Sequence, residues 1–483
     1  MSACVAPREA LLPSHAPDAG PATLPGEQVL ERQPVIPALD AFEAPVPLAT
    51  VLPNGLTVLV VERAGAPIQA LSLVVKRGST SDPKGKAGLA SITAAMLEAG
   101  SAKKSQAEIA ALADALGAEL HTAAKTDGLM VSISAQPSRM EPMAKLLADV
   151  ALRPNFDPQE WKKVQAQRVA QLKDQLAEPR AAAATAFAAA LYGDGPLGHA
   201  PVGTPVTVKA LTLDDVKRFW AGASPGETAL IAVGASSRAQ VLELAASLFG
   251  GWKVSSRPAT PPTAGKLPAR PRLVLVEFPG RPQTVLQVGQ PGVPLTSPDA
   301  MALKVMNSVL GGSFTSRLNA NLREKHGYTY GAGSSFAFGR GDGPFTAASS
   351  VKSEVTGPAL GELLLELRRV VDEPLPDAEL AKGKALLAYG LVEQLQRAEL
   401  TAGLVSELFT AGAPLDSLQK LVPQLQGLSA AEVQAAARRA LDPASMTITV
   451  VGDPAVLSQF EPAGLTLPAP ERRTASGALV SPR

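Results

Sequence analysis

The chain is poor in the residues that bind metals and cross-link proteins. Its 483 residues include one cysteine and four histidines. A single thiol excludes an intramolecular disulfide, a cysteine-based zinc site and a thiolate-held iron–sulfur cluster. An excess of one charge is also missing. Lysine plus arginine number 45 and aspartate plus glutamate 44, for a net charge of +1. That balance gives no electrostatic footprint for nucleic acid or an anionic membrane surface. No run is long and apolar enough to span a bilayer, because charges interrupt the Ala- and Leu-rich tracts, as between Glu108 and Glu119.

What is abundant is proline and glycine, 43 and 41 residues. They mark the ends and the middle of the chain. Residues 1–47 read as a Pro-rich disordered tether, residues 255–271 as a linker and residues 462–483 as a flexible tail. Two blocks remain, 48–254 and 272–461. Met1-Ser-Ala-Cys4 is similar to the end of a bacterial lipoprotein signal. With a start further upstream, Cys4 is a lipidation candidate, and otherwise it is a free thiol in the arm. The Pro-rich arm tilts the expected location to the periplasm, lipid-anchored, with the cytoplasm as the alternative.

The two blocks repeat one plan. Each opens with a β-branched strand, Leu56–Val61 and Leu273–Glu277, followed by a second, Ala70–Val75 and Gln283–Val288. A helix ending in Gly-Ser follows, Leu89–Ser101 and Ala302–Ser313. Glu160 and Glu379, Leu172 and Leu391, and Gln175 and Gln394 all stand 219 residues apart. The closing strands end at Gly234 and Gly452, at nearly the same offset. The pattern predicts an α+β fold of two tandem homologous domains, each a mainly antiparallel β-sheet with α-helices packed on one face. Residues 158–190 read as long helix with a break at Pro179.

The stretches Pro53–Val61, Lys76–Pro83 and Gly88–Ser101 together resemble the pitrilysin/insulinase family of zinc peptidases. Active members of that family carry His-x-x-Glu-His on the helix that follows Gly-Leu-Ala. Two imidazoles one turn apart bind zinc, the Glu polarises water, and a Glu from a later helix is the third ligand. At those positions this chain has Ser91, Ala94 and Ala95, and Gln171 falls at the third-ligand spacing. None is a usable zinc ligand or base. The resemblance therefore implies a degenerate, metal-free first domain and no cofactor in this chain. His15, His121, His199 and His326 are too dispersed in sequence to suggest another site.

The second block is a closer match. Val309–Gly331 resembles the family's C-terminal half, in which an Arg and a Tyr seven residues apart hold the substrate backbone beside the metal. The matching residues are Arg323 and Tyr330. A guanidinium and a phenol suit that role, because peptide hydrolysis develops negative charge on the carbonyl oxygen. Gly311, Gly312, Ser313 and Phe314 form a candidate cleft-lining loop, with a helix C-cap as the compatible structural reading.

The family includes two-chain enzymes with one zinc subunit and one Arg/Tyr subunit. The resemblance thus implies a non-zinc-binding subunit of a heterodimeric metalloendopeptidase acting on unfolded peptides, without activity alone. Its partner would carry zinc and offer a sheet edge to the substrate, and a homodimer is an option for the chain alone. The alternative is a non-enzymatic scaffold or peptide-binding protein of the same fold.

Overall fold

The computed structural model describes residues 42–253 and 272–480. The first block holds a six-stranded sheet in the order β1-β2-β6-β3-β5-β4. Its strands are β1 (Leu48–Val51), β2 (Thr57–Glu62), β3 (Gln69–Val75), β4 (Glu119–Ala124), β5 (Leu129–Ala135) and β6 (Thr228–Gly234). The second holds β7 (Arg272–Glu277), β8 (Gln283–Pro291), β9 (Thr329–Phe336), β10 (Pro344–Lys352), β11 (Thr447–Gly452) and β12 (Glu471–Arg473). Their order is β12-β7-β11-β8-β10-β9.

The two orders superpose strand for strand. β6 is parallel to β2 and antiparallel to β3. β11 is likewise parallel to β7 and antiparallel to β8. Only the outermost strand differs. β1 comes from the start of the chain and runs antiparallel to β2, whereas β12 comes from the end and runs parallel to β7. The helices repeat as well. Helix α1 (Leu89–Glu98) follows β3 as α4 (Ala300–Leu310) follows β8. Helices α2 (Pro158–Leu176) and α3 (Pro179–Tyr192) correspond to α6 (Asp377–Gln396) and α7 (Ala398–Ala411) at the offset already visible in the sequence.

The expected fold class holds, with one addition. On one face, each sheet packs against helices of its own block. Val58, Val60, Leu71 and Leu73 share a core with α1, α2 and the helices Met140–Leu152 and Leu213–Ala221. The opposite face is covered by a helix of the other block. Leu59, Val61, Val74, Ile231 and Val233 pack on Ala398, Ala402 and Val405 of α7. In return, Ala182, Ala183, Ala186 and Ala190 of α3 pack on Val274, Val276, Val285 and Val451. β3 and β6 are therefore buried along their whole length, which explains why they are mostly apolar rather than alternating. The small alanines let α3 lie close to its sheet. Gly289 completes the fit, since a Cβ there would stand 3.0 Å from the Phe187 ring and 2.1 Å from Phe345 O.

Two boundaries move. Phe42 and Ala44, assigned above to the tether, pack with Leu391, Leu395, Leu408 and Leu418. The segment from Pro462, read as a flexible tail, contains β12, because Glu471 pairs with Arg272 and Arg473 and the backbone continues the sheet. Cys4, most of the tether and the linker 255–271 lie outside the described residues.

Candidate functional site

In the first block, the positions that the resemblance sets against zinc ligands lie on α1 and α2. Helix α1 is buried on nearly all sides. Asp82 holds its start, accepting hydrogen bonds from Gly88 N and Ala90 N at 2.8 Å each. Ser91 and Ala95 stand one turn apart on this helix, and α1 packs against α2, which carries the exposed Gln171. The scaffold is thus in place. The donor set is a hydroxyl, two methyl groups and a neutral amide, which does not fit zinc. Among the described residues no three His, Cys, Asp or Glu side chains gather to hold a metal.

The second block is built differently, on irregular backbone. Arg323 lies in a π-helical turn, Asn319–Lys325. Such wide turns recur at functional sites because they re-aim a side chain. Two contacts fix the turn from below. Leu318 and Leu322 are fully buried. Asn321 Nδ2 donates to Glu362 Oε2 at 2.9 Å and Glu366 Oε1 at 2.8 Å, both on the helix α5 (Thr356–Asp372). The Arg323 side chain remains 34% exposed, 3.4 Å from Glu324 and with its guanidinium 4.5 Å from the centre of the Phe314 ring.

Tyr330 sits on a second irregularity. The pairing of β9 with β10 shifts between Thr329 and Ala332, so Tyr330 and Gly331 form a bulge. Thr329 closes it: its hydroxyl accepts from Gly331 N at 3.0 Å and donates to Ser350 O at 2.7 Å. A bulge turns its residue away from the regular pleat. Tyr330 is 89% exposed and makes no hydrogen bond among the described residues.

The loop Gly311–Phe314 links the two. Gly312 N donates to Asn307 O at 2.7 Å, ending α4, and Ser334 N donates to Gly311 O at 3.1 Å. A side chain at Gly311 would meet Ser334 N at 2.3 Å. Asn319 Oδ1 accepts from Ala332 N at 2.9 Å. The outer edge of β9 is thereby occupied at Ala332 and Ser334 and does not offer those groups to an added strand. Phe314 projects from the loop, 72% exposed.

Phe314 and Tyr330 flank a groove of about 640 Å³. Its floor is the face of β9, β10 and β8 that α3 leaves uncovered, with Gly331, Gly333, Ser335, Thr346 and Ala348 among its residues. The far rim is Arg180, the second residue of α3, whose Nε donates to Ser350 Oγ at 2.9 Å. Arg180 was not singled out in the sequence. Nothing local marks it, and its place follows only from the exchange of helices between blocks. The structure thus brings Tyr330 and Phe314 to one groove with Arg323 against Phe314. Ser91, Ala94, Ala95 and Gln171 belong to the other block.

Residues 57–204 match the family model described as insulinase (peptidase family M16). Residues 210–387 match the peptidase M16 inactive domain. An uncharacterized zinc protease of Mycobacterium bovis is 25% identical over 408 residues, 83% of this chain and 92% of that protein. A non-peptidase homolog of Helicobacter pylori is 22% identical over 374 residues, 76% of this chain and 85% of that protein. Among solved structures, a peptidase M16 inactive domain from Pseudomonas fluorescens is 27% identical. It superposes with a TM-score of 0.80, over 84% of this chain and 98% of that one. With two family models in chain order and the fold to match, the chain belongs to the insulinase family of peptidases, M16.

Proposed function

We propose that this chain is the non-zinc-binding subunit of a two-chain metalloendopeptidase that cleaves unfolded peptides. Zinc belongs to the partner in this reading, and this chain contributes none of its ligands. Its own contribution is Arg323 and Tyr330. The observation that carries the proposal is the state of Tyr330: a phenol, 89% exposed, presented by a bulge and hydrogen-bonded to nothing among the described residues. A tyrosine with no packing or bonding role inside its own chain is available to a substrate. Arg323, held by the π-helical turn, supplies a guanidinium that cannot deprotonate. Together they bind a peptide carbonyl oxygen and stabilise the charge it gains during hydrolysis.

The test is co-expression with a family member that carries an intact His-x-x-Glu-His, followed by assay of an unstructured peptide. Arg323→Ala and Tyr330→Phe are each expected to lower kcat about 10²–10³-fold, as loss of one oxyanion donor does elsewhere. Unchanged turnover in Arg323→Ala overturns the proposal. A periplasmic location, anchored through Cys4, goes with this reading. Mass spectrometry of the native protein tests it, and an unmodified Cys4 ends the anchor.

A second reading, a non-enzymatic peptide-binding scaffold, is supported by the likeness to the H. pylori protein described as a non-peptidase homolog. Native co-purification separates the two. A zinc-bearing family member in the complex favours the enzyme, and its absence favours the scaffold.

A further inference from the structure

The groove beside Tyr330 has a chemical polarity that the proposed function does not use. One rim is aromatic, Phe314 and Tyr330, both far more exposed than large apolar side chains usually are in a folded protein. The other rim is cationic. Arg180 makes no ion pair among the described residues, and its Nε bond to Ser350 Oγ leaves both terminal nitrogens free to bind a ligand. No aspartate or glutamate lines the groove. The floor between the rims carries nothing larger than threonine along β9 and β10, with Val285 and Gln287 added by β8, which leaves room for an extended chain. Arg323 stands behind Phe314 and is already paired with Glu324 at 3.4 Å, which leaves Arg180 as the unpaired charge at the groove.

We infer that the groove binds an extended peptide segment bearing an aromatic or bulky apolar side chain and, close by, a carboxylate. The apolar group lies against Phe314 and Tyr330, and the carboxylate meets Arg180, whose planar fork matches a carboxylate in paired hydrogen bonds. The carboxylate comes from an Asp or Glu side chain or from a peptide C-terminus. A basic segment is disfavoured, because it would bring like charge against Arg180 where no acid lines the groove to offset it. The inference shares with the proposed function the premise that this surface meets peptide. It names the class of peptide.

The experiment uses the purified full chain alone and measures binding rather than turnover. The probes are fluorescently labelled alanine hexapeptides with one phenylalanine. One carries Glu and an amidated end, one a free C-terminal carboxylate and no Glu, and one Lys and an amidated end. At least one acidic peptide is expected to bind tenfold or more tightly than the Lys peptide. The arm that binds identifies the source of the carboxylate. Arg180→Ala should abolish the difference, and Phe314→Ala should weaken acidic and basic peptides alike. Equal binding of all three peptides, a preference for Lys, or an acidic preference that survives Arg180→Ala overturns the inference. Turnover in the two-chain assay is independent of this result. If Arg323→Ala leaves turnover intact while the acidic preference holds, the proposed function fails and the groove assignment stands. The converse pattern rejects only the groove assignment.

Discussion

The Arg323 guanidinium lies over the Phe314 ring, 4.5 Å from its centre, so, beside the bond that Asn319 Nδ2 donates to Ser313 O at 3.3 Å, a cation–π contact joins the loop that follows α4 to the π-helical turn. An exposed contact of this kind is worth about 0.5–1 kcal/mol. Phe314→Ala is therefore expected to lower kcat of the two-chain enzyme about two- to fivefold. Phe314→Leu keeps the apolar surface but not the ring and should fall as far. Steady-state kinetics with an unstructured peptide checks both. Full activity in the Leu variant would show that the ring does not orient the guanidinium.

The bulge beneath Tyr330 depends on the Thr329 hydroxyl, which bonds Gly331, Ser350 and Ser349. Thr329→Val keeps the shape and removes these bonds. Stability should drop by about 1–2 kcal/mol. Peptide turnover should drop more than this loss of folded protein explains, since the phenol loses its aim. Urea unfolding and kcat measured on the same preparation separate the two effects.

Asp82 makes stability depend on pH. Burial pushes its carboxyl up to about 7, against the pull of the backbone N–H groups of Ala90, Gly88 and Leu89. A folded-state value above the ordinary 3.8 means that the folded chain holds the proton longer than the unfolded chain does. The contribution to stability is complete at low pH and is lost as pH rises through about 7. Its slope approaches about 1.4 kcal/mol per pH unit between these two values. Asp82→Asn should flatten the urea midpoint across this window while lowering it at acid pH, where one cap acceptor is lost. An unchanged slope in the variant would assign the dependence to other groups.

The exchanged helices predict a crossed stability effect. All three tryptophans, Trp161, Trp220 and Trp252, belong to the first block, and Val405 belongs to the second. Val405 is fully buried against the first block's sheet. Val405→Ala should lower stability by about 1–3 kcal/mol and move the tryptophan-detected transition, although the substitution lies in the other half of the sequence. A tryptophan transition that stays in place while circular dichroism shifts would show that the blocks unfold independently.

Much of the fold is legible in the sequence because its local signals agree. Thr57–Val61 and Thr447–Val451 are β-branched runs, and Pro179 opens a helix at the expected break. The offset of 219 residues anticipates even the pairing of α3 with α7. The destination of those two helices is not legible. Ala181–Ala190 looks like any Ala-rich helix, and the sheet it covers begins some eighty residues later, so Arg180 gives no sign of reaching a groove built around Tyr330. β12 is hidden for another reason. Glu471-Arg472-Arg473 has a charged composition, and its strand character comes from an edge pairing that only the assembled sheet supplies. Ser91, Ala94 and Ala95 could be placed on one helix from the sequence, and α1 carries all three. The sequence marked Arg323 and Tyr330 but not the π-helical turn and the bulge that carry them, since both irregularities depend on Asn321 meeting α5 and Thr329 meeting Ser350.

The two helices that cover each other's sheets have a mechanical consequence. Pulling the halves of this chain apart would strip α7 from Leu59, Val61 and Val233 and α3 from Val274 and Val451 at once, exposing apolar surface on both sheets together. The chain therefore behaves as one stiff arm with no joint at its midpoint.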